Sequence, residues 1–201
     1  NLLPAGIQNA ALLVIDNTSF ETLAYVGNSQ WSTRLDTGYA IDIIQRPRST
    51  GSVLKPLLFA AMIQAGEIVS TTLIPDIPSN YSGYMPENYD RLYRGAVPAQ
   101  LALAHSLNVP AVRMLKQHGV SRFYDFLKNA GMTSLQRNPD DYGLTLILGG
   151  AEATLWDLTS MYANLSRMAG QSTGMSENHY NQAIKLRGES IRTGRTSFIT
   201  P

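Results

Sequence analysis

Two short apolar runs rich in branched residues open the chain, residues 10–16 (A-A-L-L-V-I-D) and 22–27 (T-L-A-Y-V-G). Asn17, Thr18 and Ser19 between them are turn formers, so the pattern predicts a β-hairpin within residues 7–28. Residues 27–50 are polar and irregular, with Trp31 and Tyr39 as isolated anchors. Residues 53–65 then have the length and apolar density of a buried helix, with Gly66 as its stop. Pro56 is tolerated only in the first turn of that helix, which places Ser52 at or near the N-terminus. Residues 67–98 carry four prolines and four tyrosines and predict a long ordered loop. Three helices follow, over 98–107, 110–118 and 121–130. Pro110 suits a first helical position, Ser121 an N-cap, and Gly119 and Gly131 the stops. Residues 144–150 form an apolar strip ended by glycine. Residues 154–169 show Leu155, Leu158, Met161, Tyr162 and Leu165 at helical spacing, closed by Gly170. Residues 171–201 are polar and weakly periodic, and are expected to form an extended arm.

Composition narrows the class without reaching a function. The chain has 201 residues, 44% hydrophobic and 15% charged, with a net charge of +1, which suits a globular domain with a real core and disfavours bulk disorder. No basic block marks a nucleic-acid surface, and no apolar run approaches the ~20 residues that span a bilayer. Cysteine is absent, so disulfides and thiolate metal sites are excluded. His105, His118 and His179 lack metal-ligand spacing. The N-terminal residues N-L-L-P-A-G-I-Q-N lack the regions of a signal peptide, and read as the interior of a longer protein.

Candidate chemistry begins at Ser52 and Lys55, in R-P-R-S-T-G-S-V-L-K-P. Residues three apart share a helix face, so the lysine amine is expected to reach the serine hydroxyl and act as its base once neutral. Burial and the positive helix end both favour the neutral amine. The Ser52 N–H, free at a helix start, suits an oxyanion. Ser-x-x-Lys arises by chance about once in a few hundred residues, and the plain alternative is an N-cap serine beside a solvated lysine. A second polar pair weighs against chance. Ser106-Leu107-Asn108 lies at a junction between two predicted helices, although Asn108 also suits a C-cap. Ser176-Glu177-Asn178, in the polar tail, reads as a chance match. The set known for serine acyl-enzymes with a lysine base is Ser-x-x-Lys, Ser-Asp-Asn and Lys-Thr-Gly.

Four blocks then carry a resemblance: R-P-R-S-T-G-S-V-L-K-P, Y-M-P-E-N-Y-D-R-L-Y-R-G-A-V, A-L-A-H-S-L-N-V-P-A-V-R-M-L and Y-G-L-T-L-I-L-G-G-A-E-A-T-L-W-D-L-T. Over residues 8–170 the chain resembles the transpeptidase domain of class A penicillin-binding proteins, in particular the penicillin-binding protein 1C subgroup. The resemblance implies an α+β, β-lactamase-like fold with a helical subdomain (residues 51–170) and part of an antiparallel sheet. It implies cross-linking of peptidoglycan stem peptides ending in D-Ala-D-Ala, with β-lactams acylating the same serine and no cofactor. Carried onto matching positions, Ser52 is the nucleophile, Lys55 the general base, Ser106 a proton-transfer group and Asn108 the holder of the substrate amide. Pro86 and Asn88 match a Y-x-P-x-N element expected to shape the rim. The resemblance also implies an extracytoplasmic domain, with a glycosyltransferase domain and membrane anchor upstream in the parent protein.

The third motif departs from the family pattern. Arg192-Thr193-Gly194 is the lookalike, but it lacks an apolar strand around it and reads as a decoy. The expectation is that Lys-Thr-Gly lies beyond residue 201 and that this piece alone is a weak enzyme. Two other functions stay open: a non-catalytic penicillin-fold sensor or scaffold, and a serine β-lactamase using Glu87 or Asp90 for deacylation. A Ser-His-Asp hydrolase is disfavoured, because G-N-S-Q-W at residues 27–31 fails the nucleophile-elbow pattern at its last position and His105 has no matching context.

Overall fold

The structure is a computed structural model that describes residues 7, 9–28, 38 and 40–170, with side chains up to Arg167. Trp31, Tyr39, His179, Ser176-Glu177-Asn178 and Arg192-Thr193-Gly194 lie outside the described residues. Among the described residues the chain runs β1 (Leu12–Ile15), β2 (Thr22–Val26), β3 (Arg48–Ser49), α1 (Lys55–Gln64), β4 (Leu73–Asp76), β5 (Gly95–Pro98), α2 (Ala99–Ala104), α3 (Asn108–His118), α4 (Val120–Asn129), α5 (Pro139–Tyr142), a 3-10 helix (Gly143–Leu148), β6 (Glu152–Ala153) and α6 (Leu155–Gly170). Among the described residues no helix is long and apolar enough to cross a membrane. The described residues divide into two compact units: those up to Arg48, 129–134 and 153–170 in the first, and 49–128 and 135–152 in the second.

In the first unit the predicted hairpin is present. β1 and β2 pair antiparallel, Leu12 opposite Val26 and Leu13 opposite Tyr25, with the register shifting between Val14 and Ile15. The Asp16 carboxylate accepts the N–H groups of Thr18 (2.9 Å) and Ser19 (2.7 Å), the short-range bonding that makes Asp a turn former. Leu13 and Ile15 point to one face, packing on buried Ile44 and Trp156, as strand alternation requires. The α6 start is fixed by Thr154, whose hydroxyl accepts the Asp157 N–H at 2.9 Å, an N-cap bond.

In the second unit α1 packs on α3, and α3 on β4 and the 3-10 helix. Its core includes Leu54, Leu57, Leu58, Met62, Val112, Leu115, Phe123 and Leu127, all fully buried. α1 begins at Lys55 with Pro56 in its first turn and no side-chain cap, so Ser52 is not an N-cap. The helix ends as its glycine predicts. Gly66 has φ +67, its N–H donates to Ile63 O at 3.0 Å, and that of Glu67 to Met62 O at 2.9 Å. These are the two bonds of a Schellman ending.

Three sequence expectations change here. Residues 67–98 contain two strands: β4 and β5 pair antiparallel, Leu73 opposite Pro98 and Asp76 opposite Gly95. Prolines in both strands mask the alternation, and a two-stranded sheet, being all edge, tolerates them. The helix expected from Pro110 starts two residues earlier, at Asn108, because an outside side chain caps it. α4 starts at Val120, with the Phe123 N–H on Gly119 O at 3.1 Å, so Ser121 lies inside its first turn. The glycine-ended strip at 144–150 is the 3-10 helix, closed by Gly149 in the left-handed region at φ 99, ψ 12.

Candidate active site

The four residues singled out in the sequence all fall in the second unit. Ser52 is exposed and lies in the turn just ahead of α1. Two tight bonds build that turn, Val53 N to Thr50 O and Lys55 N to Ser52 O, both 3.1 Å. The turn is also fastened from outside. Ser49 Oγ donates to Gly149 O at 2.8 Å, and the Thr50 N–H and hydroxyl donate to Ala151 O at 3.1 and 3.3 Å. Gly149, read in the sequence only as part of a strip ending, and Ala151 after it therefore support the serine turn.

Lys55 is the first residue of α1 and only 2% exposed. Its Nζ donates to Ser106 O at 2.7 Å, Ser106 Oγ at 3.2 Å and Asn108 Oδ1 at 2.7 Å. Burial pushes its pKa down from 10.5 to about 8, because a low-dielectric surround penalises the ammonium. Sequence spacing placed the amine beside Ser52 on a shared helix turn. In the structure Ser52 precedes the helix, and all three Nζ bonds go to the Ser106–Asn108 junction.

The stoichiometry of those bonds has chemical content. An ammonium has three N–H donors and fills all three oxygens. A neutral amine has two N–H groups and one lone pair. Ser106 O and Asn108 Oδ1 can only accept, so they take the two N–H groups. That leaves the lone pair for a hydroxyl proton, as from Ser106. The site therefore accommodates either protonation state of the lysine without stranding an acceptor.

Ser106 sits between α2 and α3 with φ 51, a left-handed conformation that costs a non-glycine residue roughly 1–2 kcal/mol. This kink ends α2 and turns the Ser106 carbonyl toward Lys55 Nζ. Ser106→Gly is accordingly expected to keep or slightly raise the thermal midpoint, since glycine adopts this φ without a steric cost. Calorimetry of the two proteins checks it.

Asn108 is the first residue of α3, not a C-cap of α2, whose C-cap is His105. Its amide is oriented from both ends. Oδ1 accepts from Lys55, and Nδ2 donates to Glu87 O at 2.9 Å, which leaves the second Nδ2 hydrogen for a ligand. Sequence reasoning placed Asn88 on the rim, and it missed Asp76. The structure buries both, Asn88 at 3% and Asp76 at 0% exposure, beside α3. The signal for Asp76 was a lone acid ending the apolar T-L-I-P run, easily passed over among prolines. Asp90 pairs with Arg94, whose hydrogen bond holds its carboxyl below the usual carboxylate range.

A family model for the penicillin binding protein transpeptidase domain matches residues 10–183. Penicillin-binding protein 1C of Escherichia coli (strain K12) is 34% identical over 157 residues, covering 78% of this chain and 20% of that protein. Penicillin-binding protein 1B of Vibrio cholerae is 32% identical over 165 residues, 78% of this chain and 20% of that protein. The chain thus spans about a fifth of the length of these curated relatives. Among solved structures, the transpeptidase domain of Burkholderia pseudomallei penicillin-binding protein 3 superposes with a TM-score of 0.76 at 13% identity, over 99% of this chain and 60% of that one. Penicillin-binding protein 1A from Haemophilus influenzae gives 0.65 at 23% identity, over 77% and 23%. The α+β transpeptidase fold expected from the sequence is the fold of these neighbours.

Proposed function

Because the chain belongs to the penicillin-binding protein transpeptidase domain family, we propose that it supplies the acyl-transfer site of a longer cell-wall synthase. Ser52 is the nucleophile, Lys55 its base, and Ser106 and Asn108 the facing pair. The observation that carries this reading is the buried Lys55 amine, tied to Ser106 and Asn108 three residues after an exposed serine. In the first step Ser52 Oγ attacks the carbonyl carbon of the penultimate D-alanine and its proton passes to neutral Lys55. The tetrahedral adduct then expels the terminal D-alanine, whose amine takes a proton returned through Lys55 and Ser106. The ester is next attacked by an amine on a neighbouring stem peptide. Its proton goes to Lys55, Ser52 Oγ leaves and is reprotonated, and a new amide remains. Asn108 orients the donor amide through its second Nδ2 hydrogen. The Ser52 N–H has no hydrogen-bond partner among the described residues and is one donor for the oxyanion.

The same reading makes β-lactams covalent ligands of Ser52. It also places the domain outside the cytoplasm, where stem peptides are cross-linked, on a membrane-anchored parent with an upstream glycosyltransferase domain. The expected result with the full-length protein is one fluorescent penicillin per chain, recovered by mass spectrometry on the peptide containing Ser52 and absent from Ser52→Ala. No adduct would favour a sensor or scaffold, and an adduct that turns over within minutes would favour a β-lactamase.

A further inference from the structure

We propose that Asn88 is a positioning residue for the Lys55–Ser106–Asn108 cluster, with buried Asp76 as the anion that fixes its amide. The inference rests on the acyl-transfer reading above and adds residues to it. Asn88 lies in a segment whose side chains alternate: Met85, Glu87 and Tyr89 are exposed, Pro86 and Asn88 buried. Its amide makes the four hydrogen bonds that an asparagine side chain allows. Nδ2 donates to Asp76 Oδ1 at 2.7 Å and to Leu92 O at 2.8 Å. Oδ1 accepts the backbone N–H groups of Asn108 at 2.9 Å and Val109 at 3.2 Å. A carboxylate and a carbonyl can only accept, and backbone N–H groups can only donate, so one amide orientation satisfies the set.

Those two N–H groups are the first two of α3, which lack partners within the helix. Pro110, the third residue, has no N–H, and Leu107 before the helix donates to Ala102 O at 2.9 Å. The start of α3 is therefore completed by one side chain from another segment, and this is why the helix begins at Asn108 instead of at Pro110. Asn108 is held twice by consecutive residues, its main chain by Asn88 Oδ1 and its side chain by Glu87 O. Its own Oδ1 then reaches Lys55. Asp76 is itself anchored by the Arg94 N–H at 3.1 Å and by the Arg94 guanidinium at 3.6 Å. The residue expected to shape the rim thus sets where the lysine's partners stand.

The test uses the full-length protein and saturation kinetics with a fluorescent penicillin, scored per mole of folded chain. Asn88→Ala should slow the first-order acylation step about 100-fold, the scale of a ~1 Å misplacement. Asn88→Asp keeps the acceptor for α3 but sets a second carboxylate against Asp76, so it should also be slow. Adding Asp76→Asn to it restores one anion and one amide, with only the Leu92 carbonyl left without its donor, and should recover part of the lost rate. Glu67→Ala, which removes the carboxylate bonded to His118 and Arg122, should lower the thermal midpoint and leave the acylation step unchanged. A wild-type rate in Asn88→Ala, a loss matched by Glu67→Ala, or an exchange that fails to rescue would each overturn the proposal. A wild-type protein that takes no label at Ser52 would overturn the acyl-transfer reading and this inference with it.

Discussion

Lys55→Met is expected to slow acylation of the full-length protein by about 10³-fold, within the range that positioned acid–base groups contribute. Methionine keeps the apolar body of the side chain and stops one atom short of the amine, so the buried site stays largely filled. It lacks both the lone pair proposed to take the Ser52 proton and the donors for Ser106 O and Asn108 Oδ1. Lys55→Arg should be equally slow at every pH, because a guanidinium does not deprotonate in proteins. In the wild type the acylation rate should climb tenfold per pH unit and level off above about 8, the value to which burial lowers the amine. Near pH 7 about a tenth of the chains then carry the neutral base, against roughly one in three thousand for an unperturbed lysine. A flat wild-type profile between pH 6 and 9, or a Met variant of normal rate, would remove Lys55 from the base role.

Stability gives an independent reading of the same group. An unfolded lysine holds its proton up to its ordinary pKa of 10.5, whereas folded Lys55 releases it near 8. Between those values the unfolded state binds more protons, so the stability of the wild type should rise with pH through that window. Below pH 8 both states are protonated and the burial penalty is present in full. Lys55→Met should lack the rise. Urea midpoints of the two proteins at pH 7 and pH 9.5 measure the difference.

How far the sequence carried the argument depended on whether a residue's partner was local. Pro56, Gly66 and the Asn17-Thr18-Ser19 turn act within a few residues of themselves, and the elements they predict are present. Ser52 with Lys55, and Ser106 with Asn108, were legible as motifs. Their mutual geometry was not, since the lysine bonds residues 51 and 53 positions away. The start of α3 was misplaced for the same reason. Pro110 is a strong local signal, and it was overridden by an Asn88 cap from 20 residues earlier. Asp76 and the β4–β5 pair were hidden because a buried acid and in-strand prolines break the alternation by which strands are recognised. The left-handed Ser106 left no trace at all, as nothing in S-L-N announces a positive φ.

Gly149→Ala should damage both stability and acylation. A Cβ at Gly149 would stand 2.6 Å from Ser49 Oγ, 2.9 Å from Gly51 N and 3.0 Å from Gly51 Cα, at φ +99. Left-handed strain and overpacking together should cost about 2–5 kcal/mol, or roughly 5–15 °C in thermal midpoint for a chain of this size. The clash can be relieved by pushing the Ser49–Gly51 turn away, and Ser52 is the next residue along. Opening 2.6 Å to the 3.4 Å of ordinary contact requires a shift of about 0.8 Å, near the ~1 Å displacement that costs about 100-fold in rate. Acylation should therefore fall by that order in the folded fraction. Ser49→Ala should not rescue it, because the Gly51 backbone remains in the way. Gly66→Ala is the contrast: the same sign of φ, +67, but nothing within 4 Å of the added carbon. It should cost about 1 kcal/mol and leave acylation at the wild-type rate. If both alanine variants lose stability and neither loses rate, the Gly149 contact is packing alone and the serine turn is held by its hydrogen bonds to Gly149 O and Ala151 O.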